Sequence, residues 1–339
     1  SFASRAGIKM MGSASVEVWQ SVAADVENLR LALNWPFRAL ATETAQQHRA
    51  IDNQYLIIGA LGDFWESRFR TEILQVFVAI VECDNERRPT RERASALSSA
   101  GFMEWSLHHF AEARRYLEES LAIAEQIGDQ LMVAWALSHL GWNADFVGDY
   151  DAAQALGQRS LAIGRSLGDQ GRYVVGQSLS FLGDIPYSRG DLLEARRLYE
   201  EAVVFLRDIK EVNRLTYPVR RLGYVSLHEG NISAALDCFS ESLELNRQVG
   251  HLLGMVACIA GLAASHLEAG NLETSATLYT WVEAQLRRIG APFFFIDTAE
   301  YQRGLLRLKQ AIGPANLEQA SAQARELALE DAIQLGQAR

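Results

Sequence analysis

Apolar positions recur along this chain at the three- and four-residue spacing of helices, and no stretch of comparable length shows the alternation of a strand. A small or apolar residue followed by Gly or Ala returns at Ala100-Gly101, Leu140-Gly141, Leu182-Gly183, Leu222-Gly223 and Leu262-Ala263, at spacings of 40, 42, 40 and 40 residues. A second mark follows seven positions after each of these glycines or alanines: Gly148-Asp149, Gly190-Asp191, Gly230-Asn231 and Gly270-Asn271, with His108-His109 in the first repeat. Glycine closes one helix in the left-handed conformation, and Asp or Asn caps the free N–H groups of the next. Ala113, Ala153, Ala195, Ala235 and Ser275 then hold equivalent small positions, where two helices approach closely. The second helices carry one apolar stripe, as in Ala195, Leu198, Ala202 and Phe205, and end at Gly128-Asp129, Gly168-Asp169, Gly250-His251 and Gly290-Ala291. Each repeat is therefore predicted to be two helices and two turns.

The same pattern divides the chain. Residues 1–12 read as a cloning scar or a boundary, and the chain is expected to be part of a longer protein. Residues 13–49 hold an N-terminal lead-in helix, Val16–Trp35, stopped by Pro36, and Gln46–Asn53 reads as a polar connection. Residues 50–90 form a degenerate repeat around Leu61-Gly62, with Arg68-Phe69-Arg70 at its turn. Five good repeats cover 91–290. Capping helices fill 291–339, around Thr298–Ala311 and Leu317–Leu335. Pro186 falls inside a first helix, where it removes a hydrogen bond and predicts a kink, whereas Pro218 is tolerated if it lies in a first turn.

Composition narrows the function. Hydrophobic residues at 49% and charged residues at 22% describe a folded, soluble chain. A net charge of −10 argues against direct contact with the phosphates of nucleic acid by this segment. Cys83, Cys238 and Cys258 are odd in number and lack metal-ligand spacing, which fits a reducing cytoplasm and no disulfide framework. Neither a signal peptide nor a run long enough to span a bilayer is present in the sequence, so no membrane contact is expected. No nucleophile elbow, zinc-protease motif or dinucleotide turn is found, and the chain is expected to be no enzyme and to need no cofactor or metal. Paired carboxylates such as Glu118-Glu119 and Glu200-Glu201 sit among arginines as a solvated face.

The order apolar-Gly, then Gly-Asp-Tyr with Ala three residues on, as in Gly141, Gly148-Asp149-Tyr150 and Ala153, resembles the tetratricopeptide repeat with a period nearer 40 than 34. The resemblance implies an all-α, right-handed superhelical solenoid of tetratricopeptide-like helix–turn–helix repeats. Val26 to Trp35 and Arg288-Ile289-Gly290-Ala291-Pro292 followed by Ala299-Glu300-Tyr301 resemble the flanks of the sensor arms in bacterial STAND-type ATPases and LuxR-type transcriptional regulators. That resemblance implies a ligand- or protein-sensing domain of a larger signal-transduction regulator, with nucleotide-binding and DNA-binding domains attached outside this chain. The alternative is a constitutive scaffold that binds a peptide or partner helix; a third reading is self-association through an exposed terminal repeat.

In repeats of this kind the first helices line a concave groove, which projects a binding surface for a protein, peptide or small-molecule effector. The first repeats contribute Phe102, Trp105, Trp135, Ser138, His139, Trp142 and Asp145, and the third Phe181, Asp184 and Tyr187 beside Gln177. The fourth contributes Tyr217, Arg220, Arg221, Tyr224 and His228, and the fifth is bland. Trp135, His139 and Trp142 share one helical face. Arg220 and Arg221 could grip an anion, or pair with a neighbouring second helix; Asp145 and Asp184 could receive a cation or donors. The aromatics read equally as helix packing. His108-His109 reads as solvated rather than metal-binding, and Cys238 and Cys258 as buried fillers.

Overall fold

The computed structural model describes residues 24–33, 44–84, 86–290, 293, 295–324 and 327–338, and among them every regular element is a helix. In order these are α1 (Val26–Leu33), α2 (Thr44–Ala60), α3 (Gly62–Cys83), α4 (Arg91–Ser106), α5 (Phe110–Ile127), α6 (Gln130–Phe146) and α7 (Tyr150–Ser166). After the short 3-10 turn Gly168–Gly171 come α8 (Arg172–Leu182), α9 (Asp184–Ser188), α10 (Leu192–Asp208), α11 (Val212–His228) and α12 (Ile232–Val249). The last are α13 (Leu252–Glu268), α14 (Leu272–Ile289), α15 (Phe295–Ala324) and α16 (Leu329–Gln337). The predicted five hairpins are thus α4/α5, α6/α7, α8–α9/α10, α11/α12 and α13/α14. Two compact units result, an N-terminal one within Ser1–Leu182 plus Val204–Glu211 and a C-terminal one within Gly183–Val203 plus Val212–Arg339.

The turn chemistry follows the sequence. Gly148, Gly190, Gly230 and Gly270 all have φ near +80°, between 76° and 83°. Asp149, Asp191 and Asn231 then cap the following helices, accepting from the backbone N–H of Ala152, Glu194 and Ala234. His108 takes the left-handed place in the first repeat (φ 64°). Between α10 and α11 the left-handed residue is again not a glycine but Lys210 (φ 57°).

Within the N-terminal unit α4 packs against α6 and α6 against α8, forming one layer, with α5 and α7 wedged between them as the second. The C-terminal unit repeats this with α11, α13 and the start of α15 in one layer and α12 and α14 in the other. Buried serines tie the layers together at one recurring separation. Ser120, Ser160 and Ser242 each donate 2.7 Å hydrogen bonds to the carbonyls of Ala94, Ala134 and Thr216.

Close approach is set by paired sizes. An added Cβ on Gly157 would stand 2.6 Å from the Phe181 ring, and one on Gly261 would stand 2.4 Å from Phe239. Phe181 thus fills the hole left by a glycine on the preceding second helix. In the C-terminal unit the large residue sits on the second helix and the glycine on the next first helix.

Several elements depart from expectation. Gln46–Asn53 is not a connection but part of α2, because its Gln, Arg and Ala residues are good helix formers and Ile51, Tyr55 and Ile58 bury one stripe. The chain turns at Leu61 rather than at Arg68–Arg70, which lie inside the continuous α3. Of the lead-in helix, Val26–Leu33 is helical; residues 16–23 and 34–36, like residues 1–12, lie outside the described set. Pro186 interrupts its helix one turn upstream, ending α8 at Leu182, whose carbonyl loses the proline's missing donor. Pro218 is the seventh residue of α11, not in its first turn, because the Lys210 junction starts that helix earlier at Val212. The closing segment continues the register: Gly304 on α15 would bring a Cβ against the Tyr279 hydroxyl of α14, the same small-against-large contact. Gly313 (φ 74°) then breaks α15, and the second capping helix is split in two, the last part being α16.

Gly261→Ala should cost about 1–3 kcal/mol through overpacking against Phe239. Urea unfolding checks this, and Phe239→Leu should restore most of the loss in the double variant. Equal midpoints for wild type and Gly261→Ala would refute the size pairing.

Candidate functional site

In the N-terminal unit the first helices α4, α6 and α8 bring the predicted rings together. Phe102 stacks on Trp105 at 5.3 Å and on His139 at 5.0 Å. Trp105 meets Trp142 edge-on at 5.6 Å, and Trp142 meets Phe181 at 5.7 Å. Trp135 stacks on Tyr173 at 4.7 Å and lies 5.5 Å from His139, whose Nδ1 is 2.9 Å from the Ser98 hydroxyl. Trp105, Trp135, Ser138, His139 and Phe181 are buried, whereas Phe102, Trp142 and Asp145 are half-buried. Most of the expected aromatic trough is therefore packing between first helices, with Phe102, Trp142 and Phe146 at its surface.

Buried polar groups in this layer lack the partners their burial demands, Gln177, Ser138 and the Asn143 oxygen among them. Gln177 on α8 is 2% exposed, and neither its amide oxygen nor its amide nitrogen has a hydrogen-bond partner in the protein. The Ser138 hydroxyl on α6 is fully buried and equally unpartnered. Trp142 meets Phe181 across α6 and α8 at a step of 39 residues, and the same step carries Ser138 to Gln177. The register thus places both groups in the layer formed by α6 and α8. Each such unpaired atom costs about 1–3 kcal/mol.

The C-terminal unit holds a buried charge network. Asp297, from the first turn of α15, accepts from Arg220 Nε at 2.9 Å and Nη2 at 3.0 Å, and from Arg221 Nη1 at 2.9 Å. Arg221 donates in turn to the Tyr217 hydroxyl at 2.9 Å and lies over that ring at 4.3 Å. Tyr217 donates to Asp184 in a short bond, and Tyr199 donates to the same carboxylate at 2.6 Å. Arg220, Arg221, Asp184 and Asp297 are each less than 5% exposed. The arginines are thus neither an open anion grip nor paired to a second helix: Asp297 holds them. Asp184 is likewise filled by two tyrosines and Arg221 rather than open to a cation.

Burial alone would raise the Asp297 carboxyl, but Arg220 and Arg221 outweigh it and hold the group down to about 2. Burial pushes Asp184 upward, only partly offset by Arg221 and the two hydroxyls. Tyr224, from the same row, is buried with an unpartnered hydroxyl. At the far end of α11, Glu300 accepts from Tyr187 at 2.8 Å and lies 3.1 Å from His228 Nε2. Sequence reasoning missed Asp297, Glu300 and Tyr199. Asp297 had a visible signal as the lone acid behind the apolar run Phe293–Ile296.

Other candidates resolve simply. His108 packs edge-on against Phe146 at 5.4 Å, and exposed His109 bonds Glu104 at 2.7 Å. Cys258 is buried against the Ser242 hydroxyl at 3.2 Å, and Cys238 is half-buried; neither is in a disulfide. Among the described residues no group of His, Cys, Asp and Glu is placed to hold a metal ion, and no helix is long and apolar enough to cross a membrane.

The tetratricopeptide repeat profile matches residues 92–166. No curated protein matches the chain. Among solved structures the chain is similar to aspartyl phosphate phosphatase F from Bacillus subtilis (14% identity, TM-score 0.57, covering 92% of this chain and 84% of that one). It is also similar to a Rap protein complexed with competence and sporulation factor (13%, 0.54, covering 94% and 98%). A third is NprR in complex with its cognate peptide NprX (14%, 0.54, covering 91% and 89%). At these identities the likeness concerns the fold: an all-α array of tetratricopeptide-like hairpins.

Asp297→Asn should cost about 3–5 kcal/mol at neutral pH, since it leaves two buried guanidiniums short of their anion. The group's folded value lies below its unfolded one, so its contribution is present in full above about pH 4 and is lost as pH falls through about 2. The gap between wild type and variant in urea titrations should therefore close from pH 4 to pH 2. A gap independent of pH in that window would rule out an ionised Asp297.

Proposed function

We propose that this chain is a peptide- or partner-binding repeat domain, and that its N-terminal unit reads the backbone of an extended segment through Gln177 and Ser138. The observation that carries this reading is the unpartnered Gln177 amide. A carboxamide offers one donor and one acceptor side by side, the complement of a single peptide group, whose C=O and N–H it can satisfy together. Burial makes the pairing selective, because a ligand without that group leaves the amide unsatisfied. Ser138 supplies a further hydroxyl from α6. The half-buried rings of Phe102 and Trp142, with Asp145, offer apolar and charged contacts for side chains of the same ligand.

The fold supports this reading. Two proteins of similar fold are described in complex with partners, one of them a cognate peptide. Within it, the resemblance of the Val26–Trp35 and Arg288–Tyr301 flanks to sensor arms favours the receiving part of a larger STAND- or LuxR-type regulator acting in the cytoplasm, over a constitutive scaffold. Nucleotide- and DNA-binding domains would then lie outside this chain.

The test is a fluorescence screen of the intact chain against a library of unstructured heptapeptides. Binders are expected to lose about tenfold or more in affinity with Gln177→Ala, the loss of one buried hydrogen-bonded group. N-methylation of one peptide bond should weaken wild type and leave Gln177→Ala unaffected. Binders indifferent to both Gln177→Ala and Trp142→Ala would overturn the proposed site.

A further inference from the structure

The helix α16 belongs to none of the hairpins: it packs back on α13 and α14, the two helices of the fifth repeat. Its contact stripe is Leu329, Ala332, Ile333 and Gly336, at positions i, i+3, i+4 and i+7. Ala332, Ile333 and Gly336 are buried and Leu329 is half-buried, whereas Glu330, Asp331, Gln334 and Gln337 are exposed. Gly336 lies close against α13, where a Cβ on it would stand 2.9 Å from Leu262 Cδ1. A side chain of any length at that position meets Leu262.

The receiving surface reads main chain. Trp281 Nε1 on α14 donates at 3.0 Å to the Leu327 carbonyl, just ahead of α16. His266 Nε2, near the end of α13, lies 3.0 Å from the Gly336 carbonyl in the last turn of α16. A carbonyl only accepts, so Nε2 is the donor, and the Asn271 amide 3.3 Å from Nδ1 orients the ring. The Gly336 carbonyl is among the last four of its helix, which have no acceptor role left inside it. Trp281 is 1% exposed and His266 3%. Two buried donors thus hold the two ends of the docked segment, and between them fits a helix of about two and a half turns.

α16 itself contributes little to its own order. At nine residues it is shorter than a helix that holds in water without support. Its N-cap, Ala328, has no side-chain oxygen for the first turn, and the one bond made there runs the other way, from the Ala328 N–H to Asp331 at 3.3 Å. Ile333 is its only large buried side chain. Asp297, by contrast, ties α15 to two guanidiniums at once. The fifth repeat therefore imposes the helix, and it does so through donors and a shape that another segment of the same pattern can satisfy.

We propose that the surface of α13 and α14 beneath α16 is a docking site for a short amphipathic helix of a partner protein, which α16 occupies in cis and from which that helix displaces it. The partner helix carries an apolar residue at i, a small one at i+3, a branched apolar one at i+4 and glycine at i+7, the anchor spacing of a helix laid in a groove. An acidic residue at i+1 suits it further, because the charge at that place, Glu330 in α16, acts on Arg247 of α12. The chain thus covers its own docking site until a competing helix arrives. The inference stands apart from the peptide-backbone reading of the N-terminal unit and does not depend on it.

The test is fluorescence anisotropy of a labelled peptide with the sequence Leu327–Arg339, titrated with the full chain. Ile333→Asp in the chain puts a charge in the groove and releases α16, so this variant should bind the peptide about tenfold or more tightly than wild type. Gly336→Leu in the chain should act the same way. The peptide carrying Gly336→Leu should itself lose about tenfold or more through overpacking against Leu262. Adding Trp281→Phe to the Ile333→Asp chain deletes one donor and should weaken the peptide about fivefold. In the wild-type chain, amide hydrogen exchange of α16 should accelerate when the peptide is supplied at about 1 mM, enough to compete with a tethered helix. The proposal is overturned if the peptide binds neither released chain, if it binds wild type and both variants alike, if its Gly336→Leu form binds as well, or if exchange of α16 in wild type does not respond to it.

Discussion

Two helices reach the close end of the usual spacing of about 8–10 Å only where one presents a small side chain at the crossing and the other fills the space it leaves. That constraint organises both compact units of this protein. It explains why Gly or Ala returns every forty residues, and why Gly101, Gly183 and Gly223 face Leu117, Tyr199 and Phe239, with Gly304 facing Tyr279 further on. It also explains the inversion at Gly157, where the second helix carries the glycine and Phe181 reaches back from α8 to fill the gap beside both Gly157 and Gly141. Once the backbones are this close, buried hydroxyls such as those of Ser120 and Ser160 can reach the neighbouring carbonyls, so part of the hydrogen bonding follows from the packing.

The sites inherit this geometry. First helices lie side by side, so a residue on one meets a fixed partner about forty positions later, and rings, charges and amides form rows. In the N-terminal unit the row is aromatic, and Gln177, Ser138 and the Asn143 oxygen are left without hydrogen-bond partners in it. In the C-terminal unit it is ionic, and α15 closes it by supplying Asp297 to two arginines at once. Such a buried network fixes the position of α15 more strictly than apolar contact would, because moving that helix leaves charges without partners.

Much of the fold was legible because its signals are local. A glycine followed by Asp or Asn announces a turn through its own backbone, and Gly148, Gly190 and Gly230 behave as their sequence requires. Where the signal was absent the reading failed: Lys210 makes the same left-handed turn without a glycine, and α2 runs through a polar stretch that resembled a connection. The site was less legible for a different reason. The adjacent arginines 220 and 221 are conspicuous, but their partner is 76 residues away, and only the tertiary fold decides whether they meet a ligand or Asp297. Gln177 stood in the projected row, yet nothing in sequence distinguishes an amide that finds a partner from one that does not.

The reversed pairing at Gly157 and Phe181 has a consequence for how such a chain can change. Repeats that look interchangeable in register are not interchangeable in volume: the second helix that ends one repeat is matched to the first helix that begins the next. Joining the α7 type to α13 would set Gly157 against Gly261 and open a phenylalanine-sized void, and joining α12 to α8 would drive Phe239 into Phe181. Insertion, deletion or shuffling of whole repeats is therefore restricted to joints of the same polarity, and the array is a sequence of keyed couplings rather than a stack of equivalent modules.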